Sequence, residues 1–554
     1  MKPRILWLGC VLLLVHPETA VQSAEVIEAD VCAYGGTCAG VAAAVQATRM
    51  GRTTIIVEPG RHLGGLSSGG LGATDIGNKA AIGGISREFY QRVAAHYRQP
   101  SSWTLETADE YFSRRRGGQT AASSLGGPDA TMWTFEPHVA EDIFFQMINE
   151  ARVPVYFDQR LASVEKDGAR IAGITAASGK IFHAKMFVDA SYEGDLMAGA
   201  GVSYTVGRES NAQYHESLDG IRAQTPKHQF IVPVDPYVKP GDSSSGLLPY
   251  IQPGDGGKPG DGDRRVQTYN FRLCFTTNPG NRTPVEPPKD YDPEKYELLA
   301  RYLEALAAAG KKPKLGEFWN PIWMPNGKTD INNNGGFSTD FIGMSYDYPD
   351  GNAATRARIW LEHENYTRGF VHFLATSPRV PENIRAEIQQ FGLCKDEFPD
   401  TGGWPDQLYV REARRMVSDY VMTEHHCRGQ EVAADSIGLA AYNMDSHNCQ
   451  RIVKNGHVEN EGDVQVPPMK PYPISCRAIA PKAAECENLF VPVCLSATHI
   501  AYGSIRMEPV FMILGQSAAT AACLALDEKV AAQKVDYAKL RARLLADKQI
   551  LEWK

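Results

Sequence analysis

Asp30-Val31-Cys32-Ala33-Tyr34-Gly35-Gly36-Thr37-Cys38-Ala39-Gly40 is the stretch that decides the fold. It is a short apolar strand running into a glycine turn. The alanine-rich residues 41–50 predict a helix, residues 53–57 predict a second strand, and that strand ends at an acid, Glu58. This is the βαβ pattern that holds a dinucleotide. The glycines let the backbone approach a pyrophosphate, and the helix behind them aims its unpaired N–H groups at it. An acid about twenty residues on takes both ribose hydroxyls. Gly35, Gly36, Thr37, Cys38, Ala39, Gly40, Glu58 and Pro59 are therefore candidate cofactor-binding residues.

Directly after the acid comes Arg61-His62-Leu63-Gly64-Gly65-Leu66-Ser67-Ser68-Gly69-Gly70-Leu71-Gly72. Five glycines in nine residues demand tight turns and a close approach of the backbone to something. The position beside the ribose acid predicts a loop that covers the cofactor, which adds Arg61, Gly64 and Gly65 to the candidates. A flexible surface loop is the alternative.

The 554 residues suit two or three domains. Apolar content of 43% and charged content of 22% fit a soluble globule, and a net charge of −8 argues against nucleic acid or an anionic membrane as partner. Lys2 and Arg4 precede an apolar run at 5–15, and a polar stretch then ends in Ser23-Ala24. This predicts a signal peptide over 1–24 and a periplasmic or extracellular protein, the alternative being a frayed cytoplasmic N-terminus. The run is too short to span a bilayer. No twin-arginine pair is present, so a cofactor would be inserted after export. Of the 11 cysteines, Cys10 lies inside the apolar run and the rest are scattered from Cys32 to Cys523 without a C-x-x-C pair. No metal site or iron–sulfur cluster is expected from that spacing. Export would permit one or two disulfides, for instance between Cys476 and Cys486.

Further along, helices are expected at 85–97 and 139–151, an exposed excursion at 101–128, and short strands at 153–157, 160–165 and 170–176. A loop is expected at 253–263, a strand at 267–276, and an amphipathic helix at 293–309. Asp330-Ile331-Asn332-Asn333-Asn334-Gly335 resembles the start of a calcium loop, but its twelfth position is Phe341 rather than Glu, so an Asx-rich turn is the better expectation. Helices are expected at 354–374 and 382–391, and a basic helix at 408–427 carrying Arg411, Glu412, Arg414 and Arg415. A strand at 488–493 and a turn-rich crossing at 496–506 follow. Pro509 then opens a helix through 526, with Gly515, Ser517, Ala518, Ala519 and Ala522 permitting tight packing.

With both ends in view, the chain resembles a bacterial family of FAD-dependent oxidoreductases. That family opens on Tyr-Gly-Gly-Thr-x-Ala-Gly and closes on Ser-Ala-Thr-His and then Arg-Met-Glu-Pro. Here these are Tyr34 to Gly40, Ser496 to His499 and Arg506 to Pro509. Asp189-Ala190-Ser191-Tyr192-Glu193-Gly194-Asp195 and the stretch from Leu408 to Met416 also match, so the likeness runs through nearly the whole mature chain. It is distantly similar to the heterodisulfide-reductase-like flavoproteins, though no cluster motif is present. The resemblance implies an α/β fold: a Rossmann-like FAD-binding domain of the two-dinucleotide-binding, glutathione-reductase-like type, with an inserted α+β substrate domain. It implies FAD-binding parts at 25–205 and 471–554 and a substrate domain at 206–470. The returning hairpin of such a fold brings Ala190 and Ser191 near the cofactor. The helix opened by Pro509, with Glu508 beside it, could face the flavin, and Arg506 could clamp the flavin or an anionic substrate, a structural pair being the alternative. Thr37 replaces the middle glycine of the general fingerprint and Cys38 its usual proline.

A flavin exchanges a hydride at N5, and the protein supplies orientation and proton transfer. His499 is a candidate base because it lies just before the flavin-facing helix; the alternative is a histidine that bonds the flavin or caps a turn. His447 and Asn448 form a second candidate pair, one as base and one holding a hydroxyl, with a plain loop as the alternative. The expected function is an exported FAD-dependent oxidoreductase moving a hydride between flavin and a small polar substrate: a sugar, polyol or hydroxy acid. The competing expectation is a non-catalytic flavin-binding or accessory protein in extracytoplasmic polysaccharide use. The electron acceptor is not written in the sequence, and His62 is a conceivable point of flavin attachment.

Overall fold

A computed structural model describes residues 25–114, 125–127 and 129–553. The expected signal peptide and Cys10 lie outside the described residues, as does part of the 101–128 excursion.

Strand β1 (Val26–Tyr34) runs from a half-exposed start into four fully buried residues, the continuous apolar end that a central parallel strand requires. Helix α1 (Cys38–Arg49) follows, its start capped by Thr37, whose hydroxyl accepts from the Gly40 amide. Strand β2 (Thr54–Val57) then pairs parallel to β1. Four more strands complete this region: β3 (Val155–Tyr156), β4 (Leu161–Asp167), β5 (Arg170–Ala176) and β6 (Ile181–Asp189). They join a seven-stranded sheet of order β3-β2-β1-β6-β5-β4, with Leu489–Phe490 also pairing with β6. The β1, β2, β3 and 489–490 pairings are parallel, and the β4–β5–β6 meander is antiparallel. β5 pairs with the start of β6, while the 489–490 strand pairs with its end. The parallel ends of β1, β2 and β6 therefore open on one edge.

The Glu508–Glu528 helix covers this sheet by lying on α1. A Cβ at Gly515 would sit 2.2 Å from the Ala39 carbonyl, so the two backbones touch only because that position has no side chain. The helix is apolar enough along its length to cross a membrane, yet 89% of its apolar window is buried, which marks it as a core helix.

The middle of the chain builds a five-stranded antiparallel sheet. Its order is Arg282–Thr283, Gly392–Cys394, Leu273–Thr276, Lys328–Asn333, Trp319–Trp323. The helices Glu297–Ala308 and Ala353–Thr376 accompany it. One apolar core runs from Val31 and Val188 of the first sheet to Phe275 and Trp319 of the second.

Several sequence expectations are corrected here. Residues 408–427 are not a basic helix. They run extended, with Arg414–Met416 pairing against Tyr204–Val206 and only Glu424–Cys427 helical. The arginines leave this stretch toward different partners: Arg411 to Asp340, Arg414 to Asp195, Arg415 to Glu209 and Glu412. Buried ion pairs on several sides of the segment override its helical spacing. Asp330–Asn333 is neither calcium loop nor turn but part of the Lys328–Asn333 strand, and the Asp330 carboxylate takes two bonds of 2.7 Å from the buried Arg272 guanidinium. The 496–506 crossing contains a helix, His499–Ile505, capped by Thr498. The 267–276 strand is reduced to Leu273–Thr276. Cys476 and Cys486 are thiols in separate parts of the core.

Candidate functional site

A cavity of about 1040 Å³ opens at the carboxyl ends of the parallel strands, where open α/β sheets bind ligands. It lies at the upper end of the size range of small-molecule sites, ~1,000 Å³, and is large enough for a dinucleotide. Gly35, Gly36, Thr37, Glu58, Pro59, Arg61, His62, Gly65 and Ser191 line it. Cys38, Ala39, Gly40, Gly64, Ala190, Arg506, Glu508 and Pro509 stand outside this lining. The Thr37 hydroxyl donates to the Ala190 carbonyl at 2.8 Å, which ties the glycine turn to the end of β6. The Gly64 amide donates to the Gly36 carbonyl, seating the glycine loop against the turn. Gly35 has φ +98, and a Cβ there would meet the Ser191 amide nitrogen at 2.8 Å.

Glu58 reaches back under the turn. One carboxylate oxygen accepts from the Gly36 amide and the other from the Gly60 amide, both at 2.5 Å. Burial raises its carboxyl to a pKa of about 7, against the pull of those two amides. Each oxygen keeps a lone pair that can accept from a ribose hydroxyl.

The far wall comes from residues that the sequence does not mark as neighbours of a cofactor. Arg356 and Arg414 both grip Asp195, at 2.6 and 2.8 Å, and all three line the cavity with Tyr348. Burial works to raise the Asp195 carboxyl, but the two guanidinium groups outweigh it and hold it below its ordinary value. Arg414 also pairs with Asp350 at 3.1 Å, and Glu193 lies beside Arg356 and accepts from the Tyr348 hydroxyl, so the two guanidinium groups are balanced by carboxylates. Arg356 sits in the long helix Ala353–Thr376, where it passes for an ordinary surface arginine, and only the tertiary fold brings it here.

The Glu508–Glu528 helix starts beside the glycine loop. The Glu508 carboxylate accepts from the Ser67 hydroxyl at 2.9 Å and the Tyr192 hydroxyl at 2.8 Å, and its carbonyl accepts from the Cys38 thiol. Burial raises its pKa. Immediately before it, Arg506 donates to the Tyr409 hydroxyl at 2.8 Å and pairs with Asp445 at 3.2 Å.

That arginine leads into a buried polar cluster. His447 Nδ1 lies 2.9 Å from Asp340 and its Nε2 lies 3.7 Å from Asp445. Arg411 pairs with Asp340 at 3.2 Å and packs over the Tyr409 ring. His228 lies parallel to His447 with ring centres 6.1 Å apart, and Asp463 stands 3.9 Å from His228. Burial and Arg411 depress the His447 pKa, but Asp340 and Asp445 overcome them and raise it. Burial pushes the Asp463 carboxyl up to about 7 and His228 down to about 4. The Asn448 side-chain nitrogen, buried beside His447, has no hydrogen-bond partner.

His499 sits behind this cluster. Its Nδ1 lies 2.7 Å from Glu412 and its Nε2 2.9 Å from the Ser446 hydroxyl, so both ring nitrogens are engaged. Glu412 also accepts from Gln267, whose carbonyl oxygen accepts from the His447 amide and from Arg506. The fold thus links His447, His499 and Arg506 in one network, while Glu58 and Ser191 belong to the cavity. Asp340, Asp445 and Tyr409 are further members; Asp445 alone carried a local signal, lying two residues from His447.

Elsewhere, Glu136, His138 and Glu397 converge in a way that suits a metal. The Lys328 ammonium stands among them, 2.8 Å from Glu136 and 2.6 Å from Glu397, and supplies the cation itself.

A family model described as FAD dependent oxidoreductase matches residues 30–544. No functionally curated protein matches the chain. Among solved structures, a 3-ketosteroid-Δ4-(5α)-dehydrogenase from Rhodococcus jostii RHA1 shares 19% identity over 33% of this chain and 50% of its own, with a TM-score of 0.20. An L-amino acid deaminase from Proteus myxofaciens shares 15% over 34% of this chain and 51% of its own, with a TM-score of 0.24. A flavin-containing monooxygenase from Stenotrophomonas maltophilia shares 15% over 34% of this chain and 43% of its own, with a TM-score of 0.19. The chain spans about half the length of these structures, and at such scores the likeness says nothing of substrate. The residues present fit FAD: a glycine turn with no room for a Cβ at Gly35, a buried acid, Glu58, directly after β2, and the guanidinium groups of Arg356 and Arg414 in the same cavity.

Proposed function

We propose that this chain, which belongs to the FAD dependent oxidoreductase family, oxidises or reduces a small polar substrate, a sugar, polyol or hydroxy acid, outside the cytoplasm. FAD, when bound, supplies a hydride acceptor or donor at N5. Glu58 would hold the ribose, the Gly35–Thr37 turn and the start of α1 the pyrophosphate, and Ser191 and the glycine loop the middle of the molecule. In this reading 25–205 and 471–554 form a Rossmann-like unit of the two-dinucleotide-binding type, and 206–470 is the inserted substrate domain.

The observation that carries the catalytic part is the polar cluster beside the start of the Glu508–Glu528 helix. His447 is held by Asp340 through Nδ1, which fixes its tautomer and leaves Nε2 as the proton-accepting atom. His447 Nε2 takes the proton of the substrate hydroxyl. Asn448 donates its unpartnered N–H to that oxygen. Arg506, tied to Asp445 and Tyr409, fixes one wall of the site. His499, with both nitrogens engaged, holds Ser446 at the end of the Met444–Ser446 strand, directly before His447.

The test is the His447→Asn variant, reduced anaerobically by whichever sugar, polyol or hydroxy acid bleaches the wild-type flavin. The expected result is a fall in kcat of about 10²–10⁴-fold with an unchanged flavin content, the usual contribution of a positioned base. Wild-type kcat in this variant would overturn the assignment.

A further inference from the structure

Cys274 and Cys394 face each other in the second sheet. Leu273–Thr276 and Gly392–Cys394 are neighbouring antiparallel strands, with Phe275 opposite Leu393 and Thr276 opposite Gly392. One step further in that register sets Cys274 opposite Cys394. Their sulfurs lie 3.8 Å apart. Directly opposed residues of an antiparallel pair have Cα atoms about 4.5–5.5 Å apart, inside the span that a disulfide bridges. Both side chains are buried, in a small apolar cluster with Met324 and Phe398 that is separate from the main core. No other pair of thiols among the described cysteines makes such a contact.

We infer that Cys274 and Cys394 form a disulfide when the chain folds in an oxidising compartment. Two S–H bonds break and one S–S bond forms; the two electrons and two protons pass to a disulfide-bearing oxidant, a protein disulfide or oxidised glutathione, which leaves as two thiols. Because both sulfurs end up buried, the exchange takes place before the sheet closes. The cysteines are 120 residues apart, and the chain between them carries the Glu297–Ala308 and Ala353–Thr376 helices. A link across so long a loop removes much freedom from the unfolded chain, and it pins the strand that returns from those helices.

The full-length chain, exported by a bacterial host, is denatured in alkylating reagent without reductant and digested. The expected result is a linked peptide pair containing Cys274 and Cys394, neither of them alkylated. The same mapping after refolding with a mixture of reduced and oxidised glutathione should give the same pair. Reductant should lower the Tm of the linked protein by several degrees and leave that of the double variant Cys274→Ser, Cys394→Ser unmoved. Full alkylation of both cysteines under both oxidising regimes, or linkage of either to another cysteine, would overturn the inference. The mapping needs no variant, so it decides the matter even if the double variant does not fold.

Discussion

Glu58 and Asp340 are both buried carboxylates, and their different surroundings give them different tasks. Glu58 has two backbone amides and no ion-pair partner, and with Glu193 opposing the pull of His62 burial wins and its pKa rises to about 7. Ribose hydroxyls donating to it favour the ionised form. FAD affinity should therefore strengthen as pH rises from 5 toward 7 and then level off, measured by titrating FAD into the FAD-free protein. Glu58→Ala should weaken FAD binding by roughly 10–100-fold, the value of one or two bonds to a charged group, and abolish that pH dependence. Asp340 has Arg411 and His447 beside it, which outweigh its burial and hold its pKa below the ordinary value. It in turn raises His447. The base form of His447 is needed to oxidise a hydroxyl, so kcat/KM in that direction should rise with pH through an ionisation above the ordinary histidine range. Asp340→Asn removes a charge that raises His447, and the limb should move to lower pH. A profile that stays in place would separate His447 from proton transfer.

At the scale of elements, the Glu508–Glu528 helix lies tightly on α1. Gly515 has the Ala39 carbonyl where its Cβ would be. Gly515→Val should destabilise the protein by about 1–3 kcal/mol through overpacking, read as a lower midpoint in urea, and, in the proposed reading of the Gly35–Thr37 turn as the pyrophosphate site, should loosen FAD as well. Both partners of this contact were legible in the sequence: the glycine turn from its residue types, the late helix from Pro509 and its small residues. Local pattern was enough because these elements obey it. The 408–427 segment was illegible for the opposite reason. Arg411, Arg414 and Arg415 stand at helical spacing, yet their partners Asp340, Asp195 and Glu209 lie far off in sequence. Burying three guanidinium groups demands those carboxylates, and that demand exceeds a helix preference of a few tenths of a kcal/mol per residue. Asp330 went the same way, drawn into a strand by Arg272.

Across the whole molecule, the half of the site proposed for the cofactor could be read locally and the half proposed for the substrate could not. Gly35, Gly36, Thr37 and Glu58 lie within one βαβ unit. The polar cluster draws on His228, Asp340, Tyr409, Arg411, His447, Asp463 and Arg506, spread from 228 to 506, and only packing assembles it. His447 and Asn448 were visible as a polar pair with Asp445 close by in sequence, but the Asp340 and Arg411 that also tune the histidine were not. The two halves meet where Glu508 bonds Ser67 and Arg506 bonds Asp445. In the proposed reading this junction sets a dinucleotide in the cavity with its reacting end at the polar cluster. The visible absorption spectrum of the purified protein tests that arrangement most directly, recorded before and after anaerobic addition of sugars, polyols and hydroxy acids. The expected spectrum has the bands of oxidised flavin, bleached by at least one of these compounds in the wild type and about 10²–10⁴-fold more slowly by it in His447→Asn. A colourless protein that takes up no added FAD would contradict it.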